Sequence, residues 1–278
     1  MSSDDDGAGL TSSGPLTRYR LAPNAGPMSL DGTNSYVLSA PDSRGVVVVD
    51  PGPLDEAHLA ALQSAGPVEL VLITHHHRDH TEASTRFHEM TGAPVRAFDP
   101  AYCHGGNSLA DGEVLSAAGV RINVLATPGH TADSVCFHLP DDGPNGSVLT
   151  GDTILGRGTT VLSYPDGTLS DYLRSLETLE SLGDAAMLPA HGPTHPNLGD
   201  IVRAYRTHRL ERLDQVRAAL LTLGLSVERA DVGSVTDRVY AGVDPSVRRA
   251  AEHSVAAQLH YLREERSFHG TVAQPHAP

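Results

Sequence analysis

Hydrophobic and polar positions follow two regimes along this chain. Over the first two-thirds, short β-branched or apolar runs recur at Gly45–Val49, Val68–Ile73, Val120–Leu125, Val135–Leu139 and Ser147–Thr150. Near-continuous apolar runs of this length predict strands covered on both faces. Helical stretches fall between some of them, at Asp55–Ala65, Thr81–Thr91 and Ser170–Leu182. Strands interleaved with helices predict an α/β layered domain.

The pattern changes after Pro196-Asn197-Leu198-Gly199, which reads as a break before a second unit. A long helix from about Asp200 carries Val202, Tyr205, Leu213, Val216 and Leu220 on one stripe. Arg209 falls inside that stripe, and a buried guanidinium needs a partner. The expected partner is a carboxylate or a backbone carbonyl of the first domain. A short helix follows Ser234, and Asp244-Pro245 supplies a cap and a first-turn proline for a third. The third helix repeats Val247, Ala251, Val255, Leu259 and Leu262, and Ser267–Val272 reads as a small hairpin. Three helices and a hairpin predict a winged-helix-like module. The expected organisation is a disordered leader over 1–14, one domain over 15–199 and the module over 200–278.

Composition narrows the class. The leader is acidic and Ser/Gly-rich, unlike a secretory signal, and no apolar run approaches the roughly 18 residues of a membrane span. Cys103 and Cys136 are the two cysteines, far apart, which excludes a disulfide-stapled scaffold and fits a reducing cytoplasm. The 20 basic residues are all arginine and face 34 acidic ones, for a net charge of −14. That surplus argues against non-specific grip on nucleic acid, which works by neutralising phosphates. From Asp200 onward the charges nearly cancel, and no aromatic ladder for stacking bases is present. The arginines of the module therefore read as a solvated face that packs near the mouth of a site.

The chemistry concentrates in Thr74-His75-His76-His77-Arg78-Asp79-His80, directly after the run ending at Ile73. It contains H-x-H-x-D-H, and imidazole with carboxylate is a donor set suited to zinc and related divalent ions. A loop at the carboxyl end of a strand can turn such side chains to one point, and Asp79 and His80 open a helix there. Three further turns echo it: Thr127-Pro128-Gly129-His130-Thr131, Gly151-Asp152-Thr153 and Pro189-Ala190-His191-Gly192-Pro193. Each sets one donor beside Gly or Pro. Together the four elements offer seven ligands, the number expected for two metals sharing a bridging carboxylate.

In these elements the chain resembles the metallo-β-lactamase superfamily, and most closely its lactamase-beta-2-type proteins, described as endoribonucleases with thioesterase relatives. The similar stretches are Asp31–Tyr36, HRDH, TPGHT, Gly151–Val161, the helix at Asp171–Leu176 and a C-terminal helical module. The resemblance implies an αββα sandwich with its site at one edge between two sheets. It assigns His75, His77 and His130 to a first metal, Asp79, His80 and His191 to a second, and Asp152 to the bridge. Asp50 matches a supporting position. Glu82-Ala83 stand where the family commonly has two glycines, which bears on the loop path and leaves the ligands in place. His76 between the ligands is similar to glyoxalase II-like enzymes, but the basic C-terminal motifs that hold glutathione have no counterpart.

The implied protein is a metal-dependent hydrolase with two zinc ions per chain, iron or manganese being compatible with the same donors. A hydroxide shared by two metals would attack a carbonyl or phosphoryl centre. Asp79 is the expected catalytic residue, orienting that hydroxide and moving its proton. No G-x-S-x-G nucleophile elbow competes. The expected substrate is a phosphodiester of single-stranded RNA. The alternatives are a small-molecule ester or thioester and, in another class, a non-catalytic metal-holding regulatory or nucleic-acid-binding protein. Arg157, on a Gly-rich loop, is a candidate for binding a substrate phosphate or carboxylate, with an ordinary surface role favoured.

Overall fold

The computed structural model describes residues 9–242 and 244–272, with the backbone alone over 268–272. Strands β1 (Thr11–Ser12), β2 (Thr17–Leu21), β3 (Asn34–Leu38), β4 (Val46–Val49), β5 (Val68–Leu72) and β6 (Val95–Arg96) form one sheet in chain order. Strands β7 (Val114–Ala117), β8 (Val120–Ala126), β9 (Val135–Leu139), β10 (Ser147–Gly151) and β11 (Ala186–Pro189) form the second, in the order β11-β10-β9-β8-β7. The pairs β4–β5, β5–β6 and β10–β11 are parallel, and the others antiparallel.

Successive side chains of a strand point to opposite faces, and here each face has its own cover. Val47, Val49, Leu70 and Leu72 pack with Val135, Phe137, Leu149 and Leu188 between the sheets. Their neighbours Val46, Val48, Val71 and Ile73 pack outward on Leu59 and Leu62 of α1 (Glu56–Ser64). Phe87 of α3 (Ser84–Thr91) joins the same cluster. On the second sheet, Cys136, Val148 and Met187 face Tyr172, Leu176 and Leu179 of α4 (Leu169–Glu180). Two sheets sandwiched by helices follow directly from runs that are apolar on both faces. No described helix is long and apolar enough to cross a membrane.

Several expectations are corrected. The helix expected over Thr81–Thr91 begins earlier, as the short α2 (Arg78–Thr81), and restarts as α3 after Glu82 and Ala83. Of the leader, residues 1–8 lie outside the described residues. The part from Gly9 is built in: Leu10 is buried, and Thr11 and Ser12 pair with β2. The module comprises α5 (Leu198–Leu223), α6 (Val232–Val239) and α7 (Arg248–Val272). Ser267–Val272 continues α7 and is no hairpin, so the module has no wing among the described residues.

The module has no core of its own. Val202, Tyr205, Leu213, Val255 and Leu259 belong to the same cluster as Ile154, Leu169 and Tyr172 of the first domain. Arg209 is 3% exposed, donates Nη2 to the Thr160 carbonyl and lies 5.0 Å from the Tyr172 ring centre. The expected partner across the boundary is therefore a backbone carbonyl. Arg209→Ala removes that donor and opens a void, and should cost about 2–3 kcal/mol of stability. Urea unfolding at constant m should show the lowered midpoint, and an unmoved midpoint would rule out the lock.

Candidate metal centre

The carboxyl ends of β5, β8, β10 and β11 converge on one edge of the sandwich, and each delivers donors there. The loop after β5 supplies His75 and His77, and α2 supplies Asp79 and His80. The turn between β8 and β9 brings His130, the end of β10 brings Asp152 and the end of β11 brings His191. One donor atom from each of His75, His77, His130 and Asp152 lies within 4.8 Å of the others, and the same holds for Asp79, His80 and His191. The seven residues thus lie in two neighbouring groups, with Asp152, the expected bridge, falling in the first.

Glycine geometry explains the turns. Gly129 sits at φ 138°, and a Cβ there would lie 2.5 Å from Tyr172 Cα. Gly151, at φ 50°, has no room for a side chain beside Thr74. Only glycine combines these dihedrals with so close an approach.

Three of the histidines are oriented by their Nδ1 atoms. His80 Nδ1 lies 2.8 Å from Asp50 Oδ2, His130 Nδ1 is 2.6 Å from the Val161 carbonyl, and His191 Nδ1 is 3.0 Å from the Gly32 carbonyl. With Nδ1 donating, Nε2 keeps a lone pair directed into the site. Asp50 also accepts from the Thr74 amide at 2.8 Å and the Thr74 hydroxyl at 2.7 Å. Its φ of 52° is rare for a residue with a side chain, and marks a backbone held by its surroundings.

His77 Nδ1 lies 3.0 Å from His75 Nε2 and 2.9 Å from His130 Nε2. Three ring nitrogens facing one point cannot all be satisfied by one another's protons. The oxygens of Asp152 divide between the groups: Oδ2 is 3.6 Å from His130 Nε2, and Oδ1 is 3.2 Å from His191 Nε2. Asp79 Oδ2 is 3.1 Å from His191 Nε2. Nε2 of His80, Nε2 of His191 and Oδ1 of Asp152 are buried without an aligned hydrogen-bond partner. Such orphans are costly, and a cation at each group satisfies them. The donors therefore fit two metal ions.

Protonation separates the two groups. Burial, then the neighbouring imidazoles, holds His75 well below the ordinary histidine range, and burial and His130 push His77 down to about 4. Burial also lowers His130, against the pull of Asp152. Burial opposes charge at His80 as well, but Asp79, Asp50 and Asp152 outweigh it and raise the group to about 9. At His191 the same burial is overcome by Asp152 and Asp79, to about 11. Burial works against ionised Asp79 and Asp152, yet the facing histidines hold both below the usual carboxylate range, Asp79 at about 2. The first group thus favours neutral imidazoles, whereas the carboxylates of the second favour a proton on Nε2 of His80 and His191, which a cation would have to displace before those lone pairs could ligate it.

Other candidates lie outside the donor set. His76 turns away to Asp133 Oδ1 at 2.8 Å and stacks on Tyr102. Arg157 pairs with Asp31 at 2.8 Å, both more than half exposed, beside a cavity of about 630 Å³ that Asn34 and Gly192 also line. Cys136 is buried against Thr127, and burial pushes its thiol up to about 11, as suits a packing residue. The sequence reading missed the supports: Thr74 on Asp50, Thr160 and Val161 on His130, and Gly32 on His191. The last comes from Asp31–Tyr36, a stretch noted for likeness but given no role. Its Asn34 also braces the end of β11, donating to the carbonyls of Pro189 and Gly192 at 2.9 and 3.0 Å.

Residues 28–191, which span every donor, match the Metallo-beta-lactamase superfamily. The chain belongs to that superfamily. It is similar to the Beta-lactamase-like protein 2 homolog of Caenorhabditis elegans, 30% identical over 92% of this chain and 85% of that one. It is also similar to an Atrochrysone carboxyl ACP thioesterase of Aspergillus fumigatus, 32% identical over 72% of this chain and 63% of the other. Among solved structures, a metallo-beta-lactamase family protein from Thermus thermophilus aligns with a TM-score of 0.73 at 24% identity. That alignment covers 90% of this chain and 94% of the other. The chain is a metallo-β-lactamase-fold hydrolase whose His/Asp clusters are suited to metal ions.

Asp50 tests the supporting role. Asp50→Ala frees His80 to rotate and should weaken metal binding about 10- to 100-fold, as loss of such outer partners does. Competition with a chromogenic chelator measures this, and unchanged affinity would remove Asp50 from the site's support.

Proposed function

We propose that this hydrolase cleaves acyl thioesters of small molecules, with zinc as its metal. The likeness to an acyl-carrier thioesterase carries the substrate class, and the histidine-rich donor set favours zinc. When bound, two such ions supply an activated water and polarise the carbonyl under attack. His75, His77, His130 and Asp152 would hold one, and Asp79, His80, His191 and Asp152 the other.

The chain's own residues do the rest. Asp79 is ionised and about one-third exposed at the mouth, so it can accept a hydrogen bond from the attacking water and pass its proton outward. Burial of the other donors, His77 apart, keeps bulk water from competing for the centre. Asp50 and the carbonyls of Gly32 and Val161 hold the imidazoles still while charge develops.

A second reading is phosphodiester cleavage in single-stranded RNA, supported by the resemblance to lactamase-beta-2-type proteins. The acidic surplus of the first 199 residues disfavours a long polyanion. A non-catalytic metal-holding role conflicts with a complete and oriented donor set.

Elemental analysis beside assays with an acyl thioester, single-stranded RNA and a chromogenic β-lactam separates these readings. About two zinc ions per chain and thioester cleavage are expected. Asp152→Ala should lower turnover on the order of 10³-fold, because it removes the group shared by both metal positions. Chelation should abolish activity and zinc should restore it. Cleavage of RNA alone would replace the thioester reading, and protein inert with every metal would end the catalytic one.

A further inference from the structure

His77 is the donor with the weakest outside support. Four of the imidazoles rest their other nitrogen on a partner: His75 on the Thr74 hydroxyl at 3.1 Å, His80 on Asp50, and His130 and His191 on backbone carbonyls. His77 points Nδ1 into the cluster, and its Nε2 lies 3.5 Å from Ser163 Oγ, at the limit of a hydrogen bond. Its ring is also half-buried where the other four are buried. Outer partners set the orientation of metal-binding histidines, so His77 depends on the backbone that carries it.

That backbone is held from two directions. The Thr81 hydroxyl, on α2, lies 3.2 and 3.0 Å from the carbonyls of His76 and His77. On the other side, the His76 side chain crosses to the turn between β8 and β9, where its Nδ1 is 2.8 Å from Asp133 Oδ1. The same turn carries His130. It is closed by the Thr127 amide on the Ser134 carbonyl at 2.8 Å, and the Val135 amide joins it to the Thr74 carbonyl at 2.9 Å. Asp133 is buried; its Oδ1 also accepts from the Thr131 hydroxyl at 2.7 Å, and its Oδ2 has no partner. A buried carboxylate with so few donors depends on each of them. The His76 ring is fixed from its face as well, stacked on Tyr102 with ring centres 6.1 Å apart and planes 22° apart.

We propose that His76 is a clamp: its bond to Asp133 fastens the loop of His75 and His77 to the turn of His130, and so preforms the first donor group. The proposal rests on the metal reading of the site and adds a positioning residue to it. All three imidazoles of the first group stand on the two segments that the bond joins. Asp79 and His80 stand on α2 and His191 follows β11, outside those segments. Loss of the clamp therefore falls on one ion position more than on the other.

Two variants separate the bond from the bulk of the ring. His76→Phe keeps a ring against Tyr102 and removes the donor. His76→Asn places an amide N–H near the position of Nδ1 and removes the ring. Zinc binding to the full chain is measured by competition with a chromogenic chelator and resolved into two dissociation constants. His130→Ala marks the constant that belongs to the first group. His76→Phe should raise that constant about 10-fold or more and leave the other within about 2-fold, and His76→Asn should restore it. Thermal unfolding checks that both variants fold, and the 31% exposure of the His76 side chain leaves room for the exchange. A residue that merely satisfies Asp133 would lower the melting temperature and move both constants alike. That result, parent-like constants in His76→Phe, or a His76→Asn protein as weak as His76→Phe would each overturn the clamp.

The metal-free protein gives a second reading. Amide exchange at Thr127, Gly129 and Val135, whose N–H groups close and anchor the turn, should quicken in His76→Phe and not in His76→Asn. If the parent takes up no metal yet these amides respond in this way, the clamp stands and the metal reading fails. If they do not respond, the clamp fails.

Discussion

The metal centre depends on the carboxylate of Asp50. It receives the Thr74 amide, the Thr74 hydroxyl and His80 Nδ1, so one buried anion joins the end of β4, the loop after β5 and the start of α2. These contacts set the path of the H-x-H-x-D-H segment before any metal is considered. A buried charge with three donors is well satisfied, whereas the same charge with one removed is a liability. The left-handed backbone at Asp50 is tolerated because the contacts around it over-determine its position.

Much of the sandwich could be read from the chain because several of its strands are apolar on both faces; Val120–Ala126, expected to be covered on both, instead alternates, with Arg121 exposed. The runs at Gly45–Val49, Val68–Ile73 and Val120–Leu125 are strands, each buried between a helix layer and the partner sheet or within the inter-sheet core. Two of the strands that escaped lack this signal. Thr17–Leu21 alternates arginine with tyrosine and leucine, and Val95–Arg96 is two residues held by β5. The donors were legible because four share the H-x-H-x-D-H segment and the other three stand in turns that need Gly or Pro. Their supports were not, since the Gly32 and Val161 groups that orient His191 and His130 are backbone carbonyls and carry no residue signature. The hairpin expected at Ser267–Val272 failed because the helical repeat ending at Leu262 runs on through it.

Arginine does unlike jobs across the module. Exposed Arg206 and Arg217 sit in acidic pairs that contribute little at a surface. Arg209, one turn away, is buried against Thr160 and Tyr172, and spacing on the helix decides the difference. The charge balance that argued against non-specific grip on nucleic acid thus averages over positions with different fates.

The hydrophobic cluster common to α4, α5 and α7 has a consequence for how the molecule comes apart. A module that owned its core could melt while the sandwich stayed folded. Here Val202, Tyr205 and Leu259 complete the same packed volume as Ile154 and Tyr172, so the module has no dry interior without the sandwich, and the α4 face of the sandwich has none without the module. Loss of the module should therefore loosen the α4 side of the sandwich with it. The peptide around Pro196 is thus a change of architecture that one packed cluster spans.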